Sequence, residues 1–89
     1  GNRRLLGELL CDRVPAIGYR MPEATYLAWL DCRTLQAGDA AARFLERGRV
    51  ALERGSKFGA AGEGFVRLNF GTSRAILSEI VNRMAAALE

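Results

Sequence analysis

The side chains best suited to chemistry lie in the stretch GEGFVRLNFGTS, residues 62–73. Side chains alternate between the two faces of a strand, which puts Arg67 and Asn69 together, opposite the apolar side chains of the same stretch. A guanidinium held on a rigid strand can bind a carboxylate or a phosphate through two parallel hydrogen bonds. A solvent-exposed strand face that carries a surface ion pair fits the same pattern, and alternation alone leaves both interpretations open.

Composition excludes several classes of catalytic site. The chain has 89 residues and no histidine, which removes histidine-based triads and histidine-ligated zinc. Its two cysteines, Cys11 and Cys32, are too few for a disulfide framework or a structural zinc site. They are expected to be small buried hydrophobes of a cytoplasmic protein. The sequence shows no pair of carboxylates spaced for acid–base catalysis.

The charge pattern resembles a solvated surface more than a binding patch. The net charge is +3, and Lys57 is the only lysine among thirteen basic residues. The arginines are interspersed with ten acids, which favours local ion pairs. A freestanding basic module that binds nucleic acid is the alternative, and it would need the arginines to cluster on one face. No apolar run is long enough to span a bilayer, so no membrane association is expected.

The glycine-rich loop GSKFGAAGEG, residues 55–64, does not have the order of a phosphate-binding loop. Phosphate and dinucleotide motifs run from a strand through glycines into a helix, whereas this loop runs into a strand. Its glycines are expected to supply turns with positive φ. Lys57 is accordingly predicted to be a surface residue or, at most, a residue of a binding loop.

Periodicity predicts seven elements in the order helix, strand, strand, helix, strand, strand, helix. Pro22 should set the turn into the second strand, and Thr72 or Ser73 should cap the last helix. The predicted helices are 2–13, a segment from an Asp39 cap to Gly48, and a last helix with an apolar stripe of Ile76, Leu77, Ile80, Val81, Met84 and Leu88. The predicted strands are 16–21, 25–32, 49–53 and 64–70.

The predicted fold is a single α/β (α+β) domain over residues 1–89: a two-layer sandwich with a mostly antiparallel four-stranded sheet and helices on one face. The strand TYLAWLDC, with apolar residues on both faces, should be central. Phe44 and Leu45 should face inward, and the aromatic side chains of Tyr26 and Trp29 are predicted to be core. Asp31 could pair with an arginine. The second face of the sheet would be bare in isolation.

The segments PEATYLAWLDCR and FLERGRVALERGSKFGAAGEGFVRLNFGTSRAILSEIVNRMAAAL together resemble the C-terminal small domain of fold-type I pyridoxal-phosphate (PLP) enzymes. The resemblance covers almost the whole chain. It is most specific to the MalY/PatB-like cystathionine β-lyase (C–S lyase) branch of the class I/II aminotransferase superfamily, through TYLAWLD and the G..FG..G.GFVRLN pattern. Ala24 departs from the glycine frequent in that branch, which affects only a local turn.

The resemblance implies that Arg67 binds the α-carboxylate of the amino-acid substrate. Asn69 and Phe58 are further candidate substrate-binding residues, with Phe58 at the entrance where the sulfur-bearing side chain would lie. It implies a PLP-dependent lyase, or alternatively an aminotransferase, in which PLP is bound by a large domain that precedes the match. No catalytic or cofactor-binding residue is then expected in this chain, and no cofactor bound to it alone. The bare face would pack on the large domain, and the full-length enzyme would be a cytoplasmic homodimer. The fragment alone is expected to be inactive.

Overall fold

The computed structural model describes residues 1–20, 26–35 and 38–89, and within them seven elements follow the predicted order. They are α1 (Asn2–Arg13), β1 (Gly18–Tyr19), β2 (Leu27–Asp31), α2 (Ala40–Gly48), β3 (Glu53–Arg54), β4 (Phe65–Asn69) and α3 (Arg74–Ala87). Three short 3₁₀ turns, Arg33–Leu35, Gly55–Phe58 and Ala60–Gly62, occupy connections between them. The predicted turn at Pro22 and the departure at Ala24 lie outside the described residues.

The four strands form one sheet in the order β1-β2-β4-β3, with every neighbouring pair antiparallel. The predicted central position of β2 is confirmed. The prediction of a strand at 49–53 is wrong, because the strand there is only Glu53–Arg54. This strand begins later than predicted for two reasons. Arg49 turns the chain in a left-handed conformation (φ 57°) at the end of α2, and β3 pairs with β4 only at Val66 and Arg67.

Helices cover one face of the sheet, as predicted for a two-layer sandwich. The apolar side chains of β4 and the residue after it, Val66, Leu68 and Phe70, are 1–3% exposed on that face. They join side chains from all three helices in one core, including Leu6, Phe44 and Leu77, each fully buried. Within the described ranges, no helix is both long and apolar enough to cross a bilayer.

The second helix begins at the predicted cap and ends differently from the prediction. The Asp39 carboxylate accepts a hydrogen bond from the Ala42 backbone N–H at 3.2 Å, which satisfies a donor left free at the helix start. Phe44 is buried as predicted, but Leu45 is 52% exposed, so its predicted inward position is wrong. Gly48 is the last helical residue; a Cβ there would lie 2.7 Å from the Arg83 carbonyl oxygen, so glycine lets α2 approach α3.

The last helix is capped by Ser73, whose hydroxyl accepts a hydrogen bond from the Ile76 N–H at 3.1 Å. Its buried positions are Leu77, Val81, Met84 and Ala87. The predicted stripe is therefore shifted: Ile76 is 54% exposed, and Ile80 and Leu88 are only partly buried. The helix packs between α1 and α2 as well as over the sheet, which selects a narrower set of positions than the stripe suggests.

Two further burial predictions need correction. Tyr26 is 69% exposed and Trp29 is 42% exposed, so neither belongs to the core. Apolar residues occupy both faces of β2, but only the helix-covered face is buried. Of the cysteines, Cys32 is buried as predicted, whereas Cys11 is exposed on α1. Burial raises the pKa of the Cys32 thiol to about 12, so this thiol stays protonated.

Candidate functional site

The sheet face without helices, called here the open face, carries Leu27 and Trp29 from β2 and Phe65, Arg67 and Asn69 from β4. The strand register sets this arrangement, because Trp29 lies opposite Arg67 and Leu27 lies opposite Asn69. Arg67 and Asn69 therefore project from the face opposite the core, as alternation predicts. The Arg67 side chain is 24% exposed, so its guanidinium is partly shielded and still accessible.

Arg67 is held on one side by a carboxylate that sequence reasoning missed. Glu53 lies directly opposite Arg67 across the β3–β4 pair. Its Oε1 accepts hydrogen bonds from Nε of Arg67 at 3.1 Å and from Nη2 at 2.5 Å. These bonds, with a smaller contribution from Lys57, lower the pKa of Glu53 from its usual range. Antiparallel pairing could have suggested this partner, but the register between the two strands is not visible in the sequence.

An aromatic ring covers the guanidinium from a second direction. The Arg67 Cζ lies 4.2 Å from the centre of the Phe58 ring, within cation–π range. Phe58 in turn meets Trp29 edge to face, with ring centres 5.6 Å apart. Phe58 thus lies against Arg67, and its participation in substrate binding stays a prediction. The ion pair that the other interpretation predicts for Arg67 is present, and binding of a carboxylate or phosphate by Arg67 stays a prediction.

A shallow, mainly apolar depression of about 270 Å³ adjoins this arrangement. Its lining residues are Trp29, Gly55, Phe58, Ala61, Gly62 and Phe65. The loop folds tightly here because glycine lets the backbones at positions 55 and 62 come into contact. A Cβ on Gly55 would lie 2.2 Å from the Gly62 carbonyl oxygen, so a side chain would not fit. An apolar hollow beside a guanidinium suits a ligand with a charged end and an apolar side chain.

Asn69 has a local structural role in addition to its position. Its Oδ1 accepts a hydrogen bond from the Gly71 backbone N–H at 2.9 Å, which fixes the turn that follows β4. The side chain is exposed on the open face, and its described hydrogen bond is to Gly71 rather than to Arg67. Its participation in ligand binding stays a prediction.

At the far end of β2, Asp31 forms the pair with an arginine that the sequence suggested. Its carboxylate accepts hydrogen bonds from Nε of Arg33 at 2.9 Å and from Nη2 at 2.7 Å. Hydrogen bonds from the Arg33 side chain, and then from its backbone N–H, lower the pKa of Asp31 to about 2. The Arg33 guanidinium also lies 5.0 Å from the centre of the Phe65 ring. Arg33 is therefore ion-paired, as Arg67 is, but its side chain is 63% exposed against 24% for Arg67.

The described residues do not fit PLP. An imine-forming lysine needs a protected amine, but Lys57, the only lysine, is 68% exposed and its Nζ lies 3.5 Å from Oε2 of Glu53. In the described parts of the chain, no group of three or more acidic or cysteine side chains could hold a metal ion. Among the described residues, the guanidinium of Arg67 with its neighbours is the arrangement that best suits an anionic ligand.

Several of the known proteins similar to this chain are named cystathionine β-lyases. A Mycobacterium tuberculosis protein with the provisional name cystathionine β-lyase is 47% identical over 98% of the chain and 26% of its own length. Cystathionine β-lyase PatB of Bacillus subtilis is 43% identical over 89% of the chain and 21% of its length. Protein MalY of Escherichia coli is 40% identical over 98% of the chain and 23% of its own length. The relatives of this chain are thus MalY/PatB-like cystathionine β-lyases, and it matches about a quarter of their length.

Solved structures of this family and its superfamily share the fold. The PLP-bound C–S lyase of Staphylococcus hominis, crystallised with L-cycloserine, matches 99% of the chain and 22% of its own at TM-score 0.89 and 30% identity. An aromatic aminotransferase of Pyrococcus horikoshii matches 94% of the chain with 22% of its own length, at TM-score 0.85 and 28% identity. No protein-family model matches the chain. The chain spans about a quarter of the length of the curated relatives it matches.

Proposed function

We propose that this chain is the C-terminal small domain of a PLP-dependent carbon–sulfur lyase. The reaction of the intact enzyme is β-elimination from cystathionine or cysteine conjugates, which yields pyruvate, ammonia and a thiol. The observation that carries the proposal is the placement of Arg67: a partly shielded guanidinium, fixed by Glu53 and Phe58, on a sheet face that no helix covers. Arg67 then binds the α-carboxylate of the amino-acid substrate.

The cofactor belongs, in this proposal, to a part of the enzyme outside the 89 residues. Lys57 is exposed and ion-paired, so the chain offers no fitting attachment point for PLP. The relatives are about four times longer than the chain, which leaves room for a large cofactor-binding domain. This small domain therefore contributes substrate positioning, and the chemical steps belong to groups of the large domain.

The open face is the surface that we assign to contact with that large domain. Exposed large hydrophobic side chains concentrate there: Trp29 is 42% exposed, Phe58 46% and Leu27 37%. Apolar patches of this kind mark interaction surfaces in soluble proteins. The greater length of the relatives supports the enzyme's own large domain as the occupant. Packing there would also enclose Arg67, which strengthens its pairing with a carboxylate by excluding water.

The contribution of Arg67 to the rate is geometric. A guanidinium fork binds a carboxylate through two parallel hydrogen bonds, which fixes the orientation of the substrate as well as its position. Displacement of such a clamp by about 1 Å can cost about 100-fold in rate, because the reacting bond is no longer aligned. The apolar depression next to Phe58 is suited to receive the sulfur-bearing side chain of the same substrate.

The test is Arg67→Lys in the intact enzyme. An ammonium cannot reproduce the bidentate fork, and a charge-assisted pair contributes about 1.5–3 kcal/mol, so kcat/KM should fall roughly 10- to 150-fold. The fold should persist because Arg67 lies outside the core. Arg83→Lys is the matched control, since Arg83 forms an exposed pair with Glu79 on α3. An unchanged kcat/KM in Arg67→Lys would remove Arg67 from the active site.

An aminotransferase of the same superfamily is the second candidate, favoured by the shared fold of the Pyrococcus enzyme. Product analysis separates the two activities. A lyase releases pyruvate and a thiol, whereas an aminotransferase releases a keto acid together with an aminated acceptor. The nucleic-acid alternative lacks support, since arginines on several elements, such as Arg33, Arg54 and Arg83, are paired with carboxylates at separate places.

A further inference from the structure

Three charged side chains alternate in sign beside the open face: Lys57, Glu53 and Arg67. The two oxygens of the Glu53 carboxylate are divided between the two cations. Oε1 accepts both hydrogen bonds from Arg67, and Oε2 lies 3.5 Å from Nζ of Lys57. The carboxylate is therefore held from both sides, and the three groups carry a net charge of +1.

Only some of the N–H donors of Arg67 form hydrogen bonds in this arrangement. A guanidinium has five N–H donors, arranged along two edges. Glu53 occupies the edge formed by Nε and Nη2, and the Phe58 ring covers one of the two flat faces. Nη1 makes no hydrogen bond to any residue in the described parts of the chain. The edge formed by Nη1 and Nη2 is consequently the one that can receive a second carboxylate.

We propose that Glu53, anchored by Lys57, is a positioning residue for Arg67, and that the substrate's carboxylate is received on the Nη1–Nη2 edge. This inference rests on the proposed function of Arg67. Glu53 turns the guanidinium so that its end points away from β3, and Lys57 keeps the carboxylate in place. The net charge of +1 of the three groups matches the single negative charge of the incoming carboxylate.

The alternative role of Glu53 is that of a competitor, which would occupy Arg67 until the substrate displaces it. The geometry favours positioning, because only one oxygen of Glu53 contacts the guanidinium. A carboxylate that filled the fork would place one oxygen on each of two nitrogens. The two roles predict opposite changes in substrate affinity. Loss of Glu53 weakens substrate binding if Glu53 positions Arg67, and tightens it if Glu53 competes with the substrate.

The experiment compares Glu53→Ala, Glu53→Gln and Arg67→Lys in the intact enzyme. Glu53→Ala removes the acceptor and should raise KM and lower kcat/KM by roughly 10- to 100-fold, the range expected for a misaligned clamp. Glu53→Gln retains an acceptor oxygen and should recover most of that loss. A purely structural role would not produce such a rescue. Glu79→Ala, which breaks an exposed pair on α3, serves as the control and should leave both constants unchanged.

Each outcome separates this inference from the proposed function. Tighter binding or unchanged KM in Glu53→Ala, or equal losses in Glu53→Ala and Glu53→Gln, contradicts positioning by Glu53 while a loss in Arg67→Lys still supports the carboxylate site. An unchanged kcat/KM in Arg67→Lys contradicts the proposed function itself. Thermal melting of each variant checks the fold, which should survive because the Glu53 side chain is 43% exposed.

Discussion

Arg33 and Arg67 are both paired with a carboxylate, but the geometry of the two pairs differs. Arg33 shares a local chelate with Asp31, in which two oxygens meet two nitrogens of the same fork. Arg67 uses the same two nitrogens but meets a single oxygen of Glu53. The two arginines also differ in exposure, since the Arg67 side chain is 24% exposed and the Arg33 side chain 63%. The shielded position of Arg67 against Phe58 on the open face supports the ligand-binding role proposed for it.

The Asp31 chelate gives a prediction for pH dependence. The pKa of Asp31 is lowered from 3.8 to about 2, so its hydrogen bonds stabilise the folded state above pH 3.8 and are lost as the pH falls toward 2. Arg33→Gln should raise this pKa toward its usual value, because the first cause of the shift is the Arg33 side chain. An NMR titration of the Asp31 carboxyl carbon measures it. A pKa still near 2 in the variant would show that another group holds the carboxylate.

At the scale of elements, α3 shows how helix periodicity and packing differ. Leu77 is fully buried, whereas its neighbour Ile76 is 54% exposed. Leu77→Ala should lower the free energy of unfolding by about 2–5 kcal/mol, as expected for a large-to-small core change. Ile76→Ala, which removes as many carbons, should change it by at most about 0.5 kcal/mol. Urea denaturation of the 89-residue chain measures both, and equal effects would mean that the burial of the helix is wrongly assigned.

The periodic elements could be predicted from the sequence because their signals are local. The bounds of α1, the Asp39 cap and the alternation along β4 all follow from residues within a few positions of each other. The choice of Ile76 and Ile80 as buried positions was less successful, because an apolar stripe is wider than the contact that three helices and a sheet allow. The register that joins Glu53 to Arg67 depends on two strands meeting in space and has no local signature.

At the scale of the whole molecule, the open face explains the exposed aromatic residues. Trp29 was predicted to be core because apolar residues lie on both sides of β2, and that prediction treats the chain as if every apolar face were covered within it. Helices cover only one side of the sheet. The family relationship, carried by the TYLAWLD and GFVRLN segments, supplied the function that physical patterns in 89 residues could not. In the proposed enzyme, the large domain would cover Trp29.

The incomplete site leads to a prediction for the isolated chain. The 89 residues alone should neither bind PLP specifically nor turn over cystathionine, because Lys57 is exposed and paired with Glu53. Absorbance titration with PLP and an assay for pyruvate measure the two properties. Lys57→Arg is the control, since it retains the charge and removes the reactive amine. A cofactor absorbance band that disappears in Lys57→Arg would contradict the prediction.

The register across β2, β4 and β3 has a consequence for the gene. Trp29, Arg67 and Glu53 occupy one row of the sheet, so the site depends on whether the number of residues along β4 is odd or even. Loss of one codon, that of Val66, would turn the guanidinium toward the helices and an apolar side chain toward the open face. Loss of two codons, those of Phe65 and Val66, would restore the facing. The site therefore depends on the parity of the residues in β4 as well as on their identity.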